Sequence, residues 1–213
     1  MKIKALLYCT KAKPYLVQGV AKPMHTLDAT NPFNFNWKLV KKGFSNDRLN
    51  GKIVAECDYE VETYLTEKSW FDQNLRVVNK KVCDGVAKYS GTEYMLNSVL
   101  NKSCLTIKEL TNYMNFENDI IEQKELYAIH IKNLKIFDKP KELSEYYSNL
   151  QRWVDIKAPT IKKAPQNMCY AFDDDLQPYI IISIKPEWLC KILNGEKTIE
   201  VRKKVLKEMI NNE

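Results

Sequence analysis

The chain has 213 residues, of which 45% are hydrophobic and 28% charged, and its formal net charge is +6. This composition is typical of a packed globular protein with one large or two small domains. No apolar run approaches the about 18 residues of a membrane-spanning helix, and MKIKALLY is too short for a signal peptide. We therefore expect a cytoplasmic protein without membrane contact, whose modest positive charge permits an anionic partner but does not require one.

The cysteines and histidines do not form a metal-binding or catalytic pattern. The chain contains six cysteines and two histidines, and none of the cysteines forms a CxxC pair. The cysteines are Cys9, Cys57, Cys83, Cys104, Cys169 and Cys190. We expect all six to be reduced thiols, and we expect neither a metal nor a cofactor. His130 is interpreted as a strand residue whose ring is hydrogen-bonded, rather than as a catalytic group.

The sequence patterns in the first half of the chain mainly predict strands. Ile3–Cys9 is rich in apolar and aromatic residues and predicts a strand. The segment from Ala21 to Lys38 has no clear period and is rich in Asn, Pro and aromatic residues, so it is interpreted as a long arm. Gly51–Val61 alternates apolar and polar residues, as in a half-buried strand, and it follows an Asn50-Gly51 turn signal.

The middle of the chain combines a helix signal with a second alternating segment. Thr106 and Glu109 form a capping-box pattern that predicts a short amphipathic helix. Leu126–Phe137 alternates again and breaks at Asn133, which predicts a strand with a bulge or two short strands. Asp138-Lys139-Pro140 predicts the start of a helix that carries KELSEYY, because proline is favoured in the first helical turn.

The last part of the chain gives the clearest local pattern, a strand–helix–strand unit preceded by a strand and an acidic turn. The predicted elements are a strand Met168–Phe172, a turn Asp173–Asp175, a strand Tyr179–Ile184, a helix from Pro186 to Leu193, a stop at Gly195 and a strand Lys197–Arg202. The acidic turn is interpreted as a solvated linker rather than a cation site.

Alternation in the last strand predicts the faces of its charged residues. Thr198, Glu200 and Arg202 fall on one face. Lys197 and Ile199 fall on the other face, together with Val201 and Lys203. A Glu and an Arg two residues apart supply an acceptor and a donor fork on one face, and Lys197 stands at the entrance of the strand. An ordinary Glu–Arg pair on a sheet surface is the alternative explanation.

At these residues the sequence resembles the ASCH domain of the PUA-like superfamily. The resemblance rests on four strings: ISIKPEWLCKILNGEKTIEVRKK, GKIVAECDYEVE, YAIHIKNLKIFDKPKEL and APQNMCYAF. They cover most of residues 51–204, and the first contains the signature G-x-K-x-x-E-x-R. Several longer relatives of this type look phage- or prophage-encoded.

The resemblance implies an α/β (α+β) fold, with a small, strongly curved β-barrel, flanking helices and a cleft lined by the signature. It implies ligand contacts from Arg202, Lys185, Thr198, Gly195, Trp188, Tyr8 and Lys11. Lys197 and Glu200 would be the catalytic residues if the protein is an enzyme, with Lys197 as electrophile and Glu200 as general base on water. A small relative that deacetylates a modified cytidine has a threonine nucleophile at the position of Glu200, so its mechanism does not transfer.

The order of the strings departs from the family pattern, because the signature unit comes last here. The barrel is therefore circularly permuted, or the N-terminal KALLYCTKAKPYLVQG is a degenerate first copy and the tail begins a second domain. We expect a barrel with its N-terminal arm in residues 1–177, and we expect residues 178–213 to complete it, since a lone strand–helix–strand unit buries too little surface.

Three functions follow as expectations. The first is a module that binds RNA or a nucleotide, with the cations on phosphate and an aromatic residue stacked on a base. The second is a hydrolase of modified nucleosides or of RNA, so whether the chain is an enzyme stays open. The third is a phage factor that binds a host protein through the arm residues Phe33, Phe35 and Trp37.

Overall fold

The structure of the chain is a computed structural model. It describes residues 3–10, 15–17, 20–22, 49, 51–69, 75–82, 85–88, 92–116, 121–148 and 159–210. Of the predicted features, Lys11, Asn50, Cys83 and the arm from residue 23 onward lie outside the described residues.

The described elements are a mixture of strands and helices. The strands are β1 Lys4–Cys9, β2 Tyr15–Val17, β3 Val20–Lys22, β4 Ile53–Ser69, β5 Leu75–Val82, β6 Gly85–Lys88, β7 Ile121–Lys141, β8 Met168–Phe172, β9 Pro178–Ile184 and β10 Ile199–Arg202. The helices are α1 Thr92–Ser103, α2 Ile107–Met114, α3 Pro186–Leu193 and α4 Lys207–Ile210, with a short 3-10 turn at Leu143–Glu145.

The fold is therefore α+β, in agreement with the predicted class. Hydrogen-bonded pairing gives the strand order β10-β7-β4-β1-β9-β8, with β5 paired to β4 and β6, and β2 paired to β3. Within the described part of the chain, no pairing joins β10 to β8 to close the sheet. The closed barrel is accordingly not confirmed.

The chain forms two compact units. The first contains Met1–Asp58 and Asn133–Gly195, and the second contains Tyr59–Lys132 and Glu196–Glu213. The strands β4 and β7 each contribute residues to both units. Residues 178–213 contribute β9 and α3 to the first unit and β10 to the second.

The first unit is built around β9, whose PYIIISI sequence is buried from Ile180 onward. It pairs in parallel with β1 and antiparallel with β8. One face of β1 places Leu6 and Tyr8 in a core with Ile181 and Tyr146. The helix α3 contacts β1 and buries its apolar stripe, as its four-residue spacing predicts.

The ends of α3 agree with the sequence prediction. Pro186 occupies the first helical turn, where its missing N–H costs nothing. Gly195 has φ +78°, and its N–H donates to the carbonyl of Ile192 at 3.0 Å. A residue in this left-handed conformation ends the helix, and glycine adopts it without steric cost.

The second unit packs α1 and α2 against the strands. Its core is formed by apolar residues of the helices and strands, namely Tyr64, Leu75, Leu96, Val99, Leu110, Met114, Leu126, Ala128, Ile199 and Val201. The capping box of α2 is present, since Thr106 and Glu109 each accept a hydrogen bond from the other's backbone N–H. The antiparallel partner of β10 is β7, with Glu200 opposite Ile129 and Arg202 opposite Tyr127.

The predicted helix after Asp138 is wrong. The strand β7 continues through Pro140 to Lys141, and only the 3-10 turn Leu143–Glu145 follows. The chain turns here because Leu143 and Tyr146, three residues apart, are both buried in the first unit's core. Tyr147 then exchanges backbone hydrogen bonds with Phe172. This pairing outweighs the local helix signal.

Candidate functional site

The three charged residues of the signature form one ion network inside the second unit. The ammonium of Lys197 lies 3.3 Å from Oε2 of Glu200, and a guanidinium nitrogen of Arg202 lies 2.9 Å from Oε1 of the same carboxylate. The Lys197 side chain is 2% exposed, Glu200 10% and Arg202 13%. The network is therefore buried at its lysine end, and it reaches the surface only in part, at Arg202.

Lys197 departs from the predicted alternation, because β10 begins only at Ile199. The residues before the strand are tied to the end of α1 by three hydrogen bonds. The Lys197 ammonium donates to the carbonyl of Ser103 at 2.8 Å, the N–H of Thr198 donates to Lys102, and the Cys104 thiol donates to Glu196. Lys197 thus binds a terminal carbonyl of α1, where the helix dipole favours a cation.

The environment of Lys197 shifts its titration. Burial lowers the pKa of the ammonium below its usual value near 10.5, and the attraction of Glu200 partly opposes the shift. A buried charge is tolerated when it is paired and hydrogen-bonded, as this one is. Because its ammonium is directed at protein atoms, Lys197 holds Glu200 in place rather than contacting a ligand in this arrangement.

Glu200 is fixed between two cations, and this limits its chemistry. One carboxylate oxygen faces Lys197 and the other faces Arg202. A general base must offer a lone pair to the proton of a bound water. Both oxygens are engaged with cations instead, so the geometry favours a Glu200 that orients Arg202.

The two cations of the network differ in their surroundings. Two cations share one carboxylate, and Lys197 is further stabilised by the end of α1. Arg202 is the most exposed member of the three. A partly exposed guanidinium held in a fixed orientation is suited to the recognition of phosphate or a base edge.

An exposed tyrosine lies beside this end of the network. Tyr113 of α2 is 40% exposed. Burial raises the pKa of its phenol above the usual value near 10.0, and the nearby guanidinium of Arg202 partly opposes this shift. The Lys203 ammonium lies 5.0 Å from the ring centroid. An aromatic ring and cations therefore share one surface of the second unit.

Tyr113 is not among the site residues predicted from the sequence. Leu110 and Met114, four residues apart, already complete the buried stripe at 0% and 1% exposure. Tyr113 is therefore an aromatic residue that the buried stripe of α2 does not need. This excess is the signal that could have identified it from the sequence.

The other predicted ligand contacts are placed as follows. Thr198 is exposed and close to the network in sequence, in the second unit. In the first unit, Lys185 is exposed at the N-terminus of α3, and the ring of Trp188 is half-buried with the Lys191 ammonium 4.8 Å from its centroid. Tyr8 is 3% exposed, so its ring packs in the core and offers no face for stacking.

His130 agrees with its interpretation as a hydrogen-bonded strand residue. Its Nε2 lies 3.0 Å from Oε2 of Glu62, which also accepts a hydrogen bond from the Tyr64 hydroxyl.

Among the helices that the structure describes, none has the length and apolar character to cross a bilayer.

Comparison with known proteins gave no match to a family model, to a curated protein or to a solved structure.

Proposed function

We propose that the second unit binds single-stranded RNA or a nucleotide at the surface formed by Arg202, Lys203 and Tyr113. One observation carries this proposal: Arg202, held by Glu200, and the Lys203 ammonium, 5.0 Å from the ring centroid, stand beside the exposed ring of Tyr113. Cations supply attraction to phosphate, and an aromatic face supplies base stacking.

The arrangement favours binding over hydrolysis. Glu200 is held by two cations, and its role in the proposal is to orient Arg202. We further propose that the chain is an ASCH domain with a PUA-like barrel in permuted order. The four quoted strings support the family, and the pairing of β10 with β7 supports the inclusion of the last strand in the main sheet.

The test is the binding of a short, fluorescently labelled single-stranded RNA, measured by anisotropy at three salt concentrations. We expect affinity to fall with salt, and Arg202→Gln to weaken binding by about tenfold, the equivalent of one charge-assisted contact. Arg202→Lys keeps the charge but loses the planar fork, and we expect it to weaken binding less.

Lys162→Ala is the matched control, because Lys162 is an exposed lysine of the first unit. Removal of its charge should leave affinity within about twofold of the parent, as for a surface site outside the interface. The proposal is contradicted by a parent protein that does not bind RNA at low salt, or by equal effects of the Arg202 and Lys162 substitutions. A panel of acylated nucleosides, which the parent should leave intact, tests the hydrolase alternative.

A further inference from the structure

The ring of Tyr113 has an unusual combination of properties for a surface residue. It is 40% exposed, it stands on a helix fixed by a capping box, and one of its faces is approached by the Lys203 ammonium at 5.0 Å. A cation at this distance is attracted by the quadrupole of the ring, but the contact is weak when water reaches it.

The backbone of the ring's neighbour is fixed while the side chain is exposed. Lys203 directly follows Arg202, the last residue of β10, so its backbone position is set by the end of the strand. The Lys203 side chain is exposed, so its ammonium can leave the ring without moving the backbone. Tyr113 and Arg202 would stay in place when it does, because α2 and the ion network hold them.

We propose that Tyr113 is the base-stacking residue of this surface, and that Lys203 covers its ring until a nucleotide takes its place. On binding, an unpaired base stacks on Tyr113, and the Lys203 ammonium exchanges its contact with the ring for a contact with phosphate. This inference rests on the proposed function and defines the ligand class as nucleic acid with unstacked bases.

The exchange follows from the chemistry of the two partners. A base offers the tyrosine a whole aromatic face, and base–aromatic stacking does not depend strongly on base identity. A phosphate offers the ammonium a full opposite charge instead of the weak negative potential of a ring. Duplexes should bind less well, because their bases already stack on one another and cannot reach the ring.

The test compares two oligonucleotides of equal length and charge, a single-stranded oligouridine with one 2-aminopurine and an oligomer in which every nucleotide is abasic. Tyr113→Leu should weaken binding of the first by about 5- to 150-fold, the range of one stacked base, and leave the abasic oligomer unchanged. Quenching of 2-aminopurine fluorescence should be present in the parent and in Tyr113→Phe, and absent in Tyr113→Leu.

Lys203→Met separates the role of the lysine charge from that of the ring. It should lower the dependence of log affinity on log salt by about 0.7 for both oligomers, as expected for the loss of one phosphate contact to a single strand. Quenching at saturation should persist, because Tyr113 is unchanged. Lys162→Met, in the first unit, should change neither measurement.

The outcomes distinguish the two proposals. A parent that binds neither oligomer contradicts both the proposed function and this inference. A parent that binds both equally, or a Tyr113→Leu variant that weakens both oligomers equally or not at all, overturns the stacking role and leaves RNA binding through Arg202 intact. Circular dichroism of each variant verifies that α2 is still folded.

Discussion

At the scale of single residues, three features of the Lys197 ammonium depend on one another. It is buried, it binds the carbonyl of Ser103 at the end of α1, and it faces Glu200. Glu200 in turn orients Arg202. The lysine therefore affects the guanidinium of Arg202 through stability and position rather than through contact with a ligand.

Replacement of Lys197 by Met should cost about 3 kcal/mol in the free energy of unfolding. Breaking a buried ion pair typically costs about 3–5 kcal/mol, and Arg202 still faces Glu200 in the variant. Urea unfolding measures the loss. Lys162→Met, an exposed substitution, should change stability by less than about 0.5 kcal/mol, and equal effects of the two would show that Lys197 is not buried in a pair.

The lowered pKa of Lys197 also predicts a pH dependence. Because the folded-state pKa lies below 10.5, the unfolded chain binds more protons at this lysine in the window just below pH 10.5. The stability of the parent relative to Lys197→Met should therefore rise with pH in that window. Urea unfolding of both proteins at about pH 8 and about pH 10 isolates this lysine, and a falling difference would contradict the shift.

The charged residues show where local pattern is insufficient. The signature residues Lys197, Glu200 and Arg202 lie together in one ion network, but the predicted alternation does not extend to Lys197. Alternation applies only within a strand, and Lys197 precedes it. Its partner Ser103 is distant in sequence and is brought close only by packing of α1, which no local spacing encodes.

At the scale of elements, Gly195 provides a direct test of the α3 stop signal. An added Cβ at Gly195 would meet no atom within 4 Å, so the cost of substitution comes from its φ of +78° alone. We expect Gly195→Ala to lower the free energy of unfolding by roughly 1 kcal/mol. Gly195→Asn should cost less, since asparagine tolerates the left-handed conformation. Thermal or urea unfolding of both variants measures the loss of stability. Equal losses for Gly195→Ala and Gly195→Asn would indicate a packing effect instead of a backbone effect.

Elements with strong local signals were predicted well. The strands β1, β8 and β9, the capped helix α2 and the proline-to-glycine helix α3 all occur close to their predicted positions. Asn133 lies within the continuous strand β7 and has φ +49°, which agrees with the predicted irregularity but not with two separate strands. The KELSEYY helix failed because the proline that begins many helices also tolerates the end of a strand, and tertiary pairing of Tyr147 decided between them.

At the scale of the whole molecule, the sequence predicted the α+β class but not the division of the chain. Each of the long strands β4 and β7 contributes residues to both compact units. The strand–helix–strand segment that carries the signature is divided between the two units after Gly195. Hydrophobic period identifies a strand without identifying its partner. The pairing of β10 with β7, on which the position of Arg202 depends, therefore could not be read from spacing.

The central claim is that the second unit carries an RNA- or nucleotide-binding surface at Tyr113, Arg202 and Lys203. The most direct measurement is photocrosslinking of the parent protein to a short single-stranded RNA with one photoreactive uridine, followed by mass spectrometry of the digested complex. We expect an adduct on Tyr113 or on the peptide that contains it, which unlabelled RNA competes and which is absent from Tyr113→Leu. Adducts confined to the first unit, for example at Trp188, or the absence of any competed adduct, would contradict it.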